Sequence, residues 1–405
     1  PGVMFCFTTA ACSLVEIGAV QKDAQNGVWN GPSTQPPASA QSILFVSAFA
    51  ALICSSGAPR SSIFMGEGDY KKAEETMGNC FALQIVVSVL LTVLLIFFGE
   101  DLLWSFGASE NTIGYATQYM SIYALGTIFV QLTLGMNAYV TAQGNAKMAM
   151  LTVMIGAVSN IILDPIFIFV FDMGVAGAAL ATIISQGISC AWVVSLLLGK
   201  QSTLRLKKQY LRIRPRIVLP CIALGTATFI MQVSESVISV AFNSSLLKYG
   251  GDVAVGAAGI FVTYTSLLTT VVVGMCQGLQ PIIGYNYGAG RLDRLKRAFW
   301  LATGASVLIT IVGAAFGQLC PGLIARAFTV DQELISATVN ALTISLTLFY
   351  VVGFQIVATT FLQSIGLAGK SIFLSLVRQV IFLIPFLMIL PKSFGLDGVW
   401  ASFPT

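Results

Sequence analysis

Long apolar runs separated by short polar connections set the pattern of this chain. The runs cover residues 42–65, 77–98, 114–142, 146–170, 175–198, 216–246, 253–285, 295–318, 334–364 and 371–391, and another begins near Gly395. Each is close to or longer than the ~20 residues a helix needs to cross hydrocarbon. Residues 1–20 supply a further candidate, interrupted by Glu16. The count predicts about twelve membrane helices, the last one truncated, with both termini read as incomplete and no signal peptide at the start. Only helices or closed barrels satisfy the backbone in lipid. Runs this long and continuous argue against barrel strands. The expectation is an all-α polytopic protein, multi-pass in the cell (plasma or inner) membrane.

The polar connections orient the runs. Alternate connections collect Arg60, Lys71 and Lys72; Lys147; Lys200, Arg205, Lys207, Lys208, Arg212, Arg214 and Arg216; Arg291, Arg294, Lys296 and Arg297; Lys370 and Arg378. The other set holds only Lys22, Lys248, Arg326 and Lys392. The positive-inside rule places the first set in the cytoplasm. A cytoplasmic linker explains the basic stretch 200–216 better than nucleic-acid binding, so no nucleic-acid partner is expected.

The pattern also repeats. Gly57-Ala58-Pro59 leading to Gly66-Glu67-Gly68 is answered by Gly278-Leu279-Gln280-Pro281 leading to Gly288-Ala289-Gly290. Gly135 to Gln143 is answered by Gly353 to Gln363, and Pro165 with Gly174-x-x-Gly177 by Pro385 with Gly395-x-x-Gly398. An offset of one half-chain holding six helices keeps both halves in the same orientation, so the repeat is parallel. The domain reading is an N-lobe over 1–200, with 1–41 the least certain part, a basic cytoplasmic linker over 201–216 and a C-lobe over 217–405.

Composition then excludes whole classes. Of 405 residues, 56% are apolar and 9% charged, and the mean hydropathy is +0.85. Soluble domains carry about 25% charged residues. The chain has no His, which removes His acid–base chemistry and the commonest catalytic metal ligand. Cys6, Cys12, Cys54, Cys80, Cys190, Cys221, Cys276 and Cys320 form no C-x-x-C pair; they read as buried free thiols rather than a metal or disulfide framework. With no nucleophile motif either, an intramembrane enzyme is not expected, nor a cofactor or resident metal.

Two carboxylates lie inside apolar runs, Asp164 and Glu235. An intramembrane acid is functional by default, because a charge at the bilayer centre costs about 2.5–3.5 kcal/mol on insertion scales. In Asn160-Ile-Ile-Leu-Asp164-Pro165 the i,i+4 spacing puts Asn160 and Asp164 on one helical face, which Thr152 and Gly156 extend. Pro165 leaves the Ile161 carbonyl without its helical donor, so the helix can bend beside the acid. Glu235 sits on a stripe of Thr228, Gln232, Ser239 and Asn243, one face of an otherwise apolar helix. Such a face lines a wet cavity or glues helices together, and glue needs no carboxylate. Arg60 and Arg378 fall near helix ends and can snorkel, so a proton or a cation is the natural partner of each acid.

At these residues the chain resembles the MATE family of multidrug and toxic compound extrusion transporters, over about residues 42–405. The carriers are Gly57-Ala58-Pro59-Arg60 with Gly66-Glu67-Gly68-Asp69, Asn160-x-x-x-Asp164-Pro165, Gly174-x-x-Gly177, and the block Gln277 to Gly290, which is similar to the bacterial drug-efflux branch. The resemblance implies two six-helix lobes, alternating access, and export of organic cations against H⁺ or Na⁺ by a monomer. It maps the ion-coupling set onto Asn137, Asn160, Asp164 and Thr182, with a possible Na⁺ at Asn160 and Asp164, and the helix-seven acid of the family onto Glu235. Gln232, Ser239 and Asn243, with Glu235 and Asp164, are the candidate substrate contacts. Two departures stand out: residues 1–41 carry no match to the family's helix-one acid, and residues 334–364 contain no acid. The alternative is a related flippase for a lipid-linked substrate, which would need cationic cavity residues; a channel would leak ions without countertransport.

Overall fold

The computed structural model describes residues 38–105, 113–200, 202–377 and 383–402. The proposed helix in 1–20 with Glu16, the rest of 1–37, and Arg378 lie outside them. Among the described residues the regular structure is entirely helical: α1 (Ala38–Gly66), α2 (Tyr70–Ser105), α3 (Ile113–Ala142), α4 (Ala146–Pro165), a π turn (Ile166–Val170), α5 (Gly174–Leu198), a 3₁₀ turn (Lys208–Tyr210), α6 (Pro215–Gly288), α7 (Leu292–Leu319), α8 (Pro321–Phe328), α9 (Gln332–Ser345), α10 (Phe349–Ser364), α11 (Ala368–Leu376) and α12 (Ile384–Ser402). Six of the described helices are long and apolar enough to cross a membrane, and α9 with α10 makes a seventh if that bent pair is one span. The fold class expected from the apolar runs holds.

The chain divides into two compact units. The first comprises residues up to Thr226 together with Gly284–Gly290; the second comprises Ala227–Ile283 and Arg291 onward.

In the first unit α3 is the central helix, packed on α1, α2 and α5. Of its most apolar stretch 67% is buried, against 22% for α2 and for α4 with its π turn. The outer helices present Leu90, Val93, Phe97 and Phe98 of α2 and Val158, Ile161 and Ile162 of α4, the surface a bilayer solvates. Small residues let the helices close up: Gly126 of α3 lies under Ile183 of α5, Gly135 under Gln84 of α2, and Gly156 of α4 under Ser189 of α5. The last turn of α6 belongs here too. A side chain at Gly288 would strike the Ile63 carbonyl, and one at Gly66 the Tyr285 carbonyl. The two glycine blocks that the sequence matches as repeat partners thus meet backbone to backbone.

In the second unit α7 packs on α10, α8 on α9, and α9 on α12. The long α6 is two helices, broken at Gly251 with φ 64° and ψ −161°. Phe242 and Phe261 lie on either side of that break. A straight helix would hold them about 28 Å apart, yet both stack edge-on to Trp400, at 5.9 Å and 6.3 Å. The chain therefore doubles back at Gly251, between the predicted runs 216–246 and 253–285.

Two expectations need correction. The run 334–364 is not one straight helix: α9 and α10 meet at 58° across Leu346–Leu348. Ser345 donates to the Trp400 carbonyl at 3.0 Å and Gln318 Nε2 to Thr347 Oγ1 at 3.4 Å, so tertiary contacts hold the bend without Gly or Pro. The connection before it, between the runs 295–318 and 334–364, contains α8.

The repeat is visible in the backbone. Positive φ recurs at Gly68 and Gly290, Gly144 and Gly366, and Gly174 and Gly395. Gly177 packs against the Phe167 carbonyl and Gly398 against that of Leu390.

Candidate ion and substrate site

Asp164 is placed by α4. Thr152, Gly156, Asn160 and Asp164 are all buried, the face read from their spacing. Asn160 Nδ2 donates to Asp164 Oδ1 at 3.0 Å. The neighbouring helix closes the same face: Ser189 Oγ of α5 donates to the Thr152 carbonyl at 3.0 Å. Just after Asp164 the ladder widens, because Pro165 has no N–H to give. Residues Ile166–Val170 form a π turn, and Phe171 N reaches back to the Ile166 carbonyl at 3.0 Å. Such turns concentrate where a helix carries function. The ion pairs among the described residues are Asp69 with Lys72, Glu74 with Lys207 and Glu75 with Arg214; none of them reaches Asp164. Among the described residues no group of three His, Cys, Asp or Glu is placed to hold a metal.

The remaining sequence-predicted residues are less closely joined. Thr182 of α5 donates to the Ala178 carbonyl of its own helix at 3.0 Å. Asn137 of α3 has a buried Oδ1 with no hydrogen-bond partner among the described residues. No hydrogen bond among the described residues links either of them to Asp164. Gln232, Glu235, Ser239 and Asn243 fall on the first arm of α6, and their side chains lie outside the described residues.

Sequence reasoning missed several interior polar groups. In the first unit, Gln131 and Gln186 each bury an Oε1 that accepts nothing among the described residues; Gln131 Nε2 donates to the Val46 carbonyl at 2.8 Å. Thr133 Oγ1, near Gln131 on α3, donates to the Gln186 carbonyl at 3.2 Å and ties α3 to α5. In the second unit Thr303, Ser306, Gln355 and Thr359 bury oxygens with no hydrogen-bond partner among the described residues. All four lie on α7 and α10, which cross where Gly353 meets Thr310 and the Ser306 carbonyl. A buried polar atom without a partner is costly. Single amides inside apolar runs were the available signal for the two glutamines.

Three comparisons bear on this arrangement. The family model MatE matches residues 38–166 and 227–389. The chain is 26% identical over 341 residues to the multidrug export protein MepA of Staphylococcus saprophyticus, covering 84% of this chain and 75% of that protein. It superposes with a TM-score of 0.87 on the MATE multidrug transporter DinF-BH, at 34% identity over 100% of this chain and 90% of that one. It superposes with a TM-score of 0.89 on a MOP superfamily transporter from Pyrococcus furiosus, at 23% identity over 100% and 90% of the two chains.

Proposed function

The chain belongs to the MatE family, and on that premise we propose that this multi-pass membrane transporter exports organic cations by alternating access in exchange for H⁺ or Na⁺. Multidrug efflux follows from the relatives; the coupling rests on the chain's own residues. The observation that carries it is the buried Asn160–Asp164 pair beside Pro165 and its π turn. Binding H⁺ or Na⁺ at Asp164 removes or screens one buried negative charge. The balance between a straight and a widened helix next to it then shifts. The Asn160 amide donates to the carboxylate and holds it in place for the ion. Asn137 and Thr182 belong to the same proposed ion-coupling set, and Glu235 serves the second lobe, with Gln232, Ser239 and Asn243 as substrate contacts. The coupling ion is the only cofactor in this reading, the protein works as a monomer, and its lobes are 1–200 and 217–405 joined by 201–216. Exchange of one monovalent drug cation for two ions moves one net elementary charge, and 100 mV then supplies about 2.3 kcal/mol; exchange for a single ion is driven by the ion's concentration gradient alone.

The test is efflux of ethidium, a fluorescent organic cation, from proteoliposomes, with a pH gradient and a Na⁺ gradient imposed separately. Either gradient should drive efflux, and the effective one names the ion. Asp164→Asn and Glu235→Gln should each lower the rate by an order of magnitude or more while the protein remains membrane-inserted. Normal efflux in both variants would overturn the coupling role, and no efflux under either gradient the antiport itself.

A further inference from the structure

The basic stretch between α5 and α6 is docked, and only part of its charge is used in docking. Glu74 of α2 accepts from Arg205 N at 3.2 Å and from Lys207 Nζ at 2.5 Å. Asn79 accepts from Arg214 N at 2.6 Å and donates to the Tyr210 carbonyl at 3.3 Å. Gln143, just after α3, accepts from Ser202 Oγ at 2.8 Å and Leu204 N at 2.9 Å. These bonds fix the backbone of the strap and leave two guanidiniums over: Arg212 and Arg216 are exposed and belong to none of the ion pairs among the described residues.

Arg212, Arg214 and Arg216 line one open surface groove of about 750 Å³, together with Glu75, Ile213, Pro215 and Ile217. Three arginines and one carboxylate share that lining, and the carboxylate, Glu75, is engaged by Arg214 at 3.4 Å. Ile213 is 40% exposed beside the arginines. Immediately after the groove the chain enters the apolar first arm of α6. Guanidinium forks match phosphate oxygens in pairs. Cations immediately cytoplasmic of a membrane helix are where anionic headgroups collect.

We propose that Arg212, Arg214 and Arg216 form a binding site for the phosphate of an anionic phospholipid in the cytoplasmic leaflet, with Ile213 and Ile217 against the start of its acyl chains. Arg214 serves both the strap and the headgroup. Arg212 and Arg216 serve the headgroup alone, so their removal separates lipid binding from docking of the strap. The site stands apart from the Asn160–Asp164 pair, and its test does not depend on transport.

The full chain in detergent micelles is followed by thermal unfolding while phosphatidylglycerol, phosphatidylcholine or inorganic phosphate is added at constant ionic strength. Phosphatidylglycerol should raise the midpoint saturably, with half-saturation at about one tenth of the phosphatidylcholine concentration. Arg212→Gln/Arg216→Gln should abolish that preference, and Arg212→Lys/Arg216→Lys should keep part of it. If the double Gln variant does not fold, each single Gln variant should still raise half-saturation about threefold. Equal responses to the two lipids in the unmodified chain, or a preference that survives loss of both arginines, overturn the proposal. Saturation by inorganic phosphate at the same concentration as phosphatidylglycerol overturns the lipid assignment.

Discussion

At the scale of single residues, charge placement separates structure from function. Asp69 shows the structural case. It precedes α2, accepts from Lys72 N at 3.0 Å, and pairs with the Lys72 ammonium at 2.9 Å. The Lys72 backbone amide, and then its ammonium, hold the Asp69 carboxyl below its ordinary range. A depressed acid contributes stability at neutral pH that disappears as pH falls from the ordinary value through the lowered one. Acidification should therefore lower hydrogen-exchange protection in the first turn of α2, and Asp69→Asn should flatten that dependence. Asp164 is the case proposed as functional, on a buried helical face with an amide donor and outside every ion pair among the described residues. That pairing was legible because i,i+4 spacing is a local property of the chain. Gln131 and Gln186 were not legible. Each is an isolated amide in an apolar run, and only the packing of α3 on α5 shows that its oxygen is enclosed.

At the scale of elements, apolar runs located the helices and local chemistry located some of their breaks. Pro165 announced the π turn at Ile166–Val170, since a missing donor must leave a carbonyl free. The bend between α9 and α10 had no such announcement, because Leu346-Thr347-Leu348 contains neither Gly nor Pro and is held from outside by Trp400 and Gln318. The helix α8 was equally silent, being only 8 residues long. At Gly251 the reason for glycine is the backbone alone: φ is 64° and ψ −161°, and a methyl there would meet nothing within 4 Å. Gly251→Ala should cost about 1–3 kcal/mol through that strain, read as a lower unfolding midpoint. Gly259→Ala, also in open space but in ordinary helix, should be neutral or slightly stabilising.

At the scale of the whole molecule, the repeat governs what the sequence could reveal. Landmarks one half-chain apart are matched by positive-φ glycines in the same positions, because a turn of fixed geometry demands the same residue each time it is built. The docking of the linker was hidden, since a run of Lys and Arg reads as a solvated tether until Glu74, Asn79 and Gln143 are placed beside it. Glu74→Ala should release it, seen as trypsin cleavage after Lys207 that is about fivefold faster than in the unmodified chain. The reversal at Gly251 bears on how the chain is made. An unbroken helix over the 74 residues of α6 would be about 110 Å long, and a bilayer offers only about 30 Å of hydrocarbon. The two arms therefore form a hairpin in the folded chain, and its insertion asks for a tip outside the hydrocarbon. The first arm carries Glu235 in its sequence and crosses with the second arm beside it.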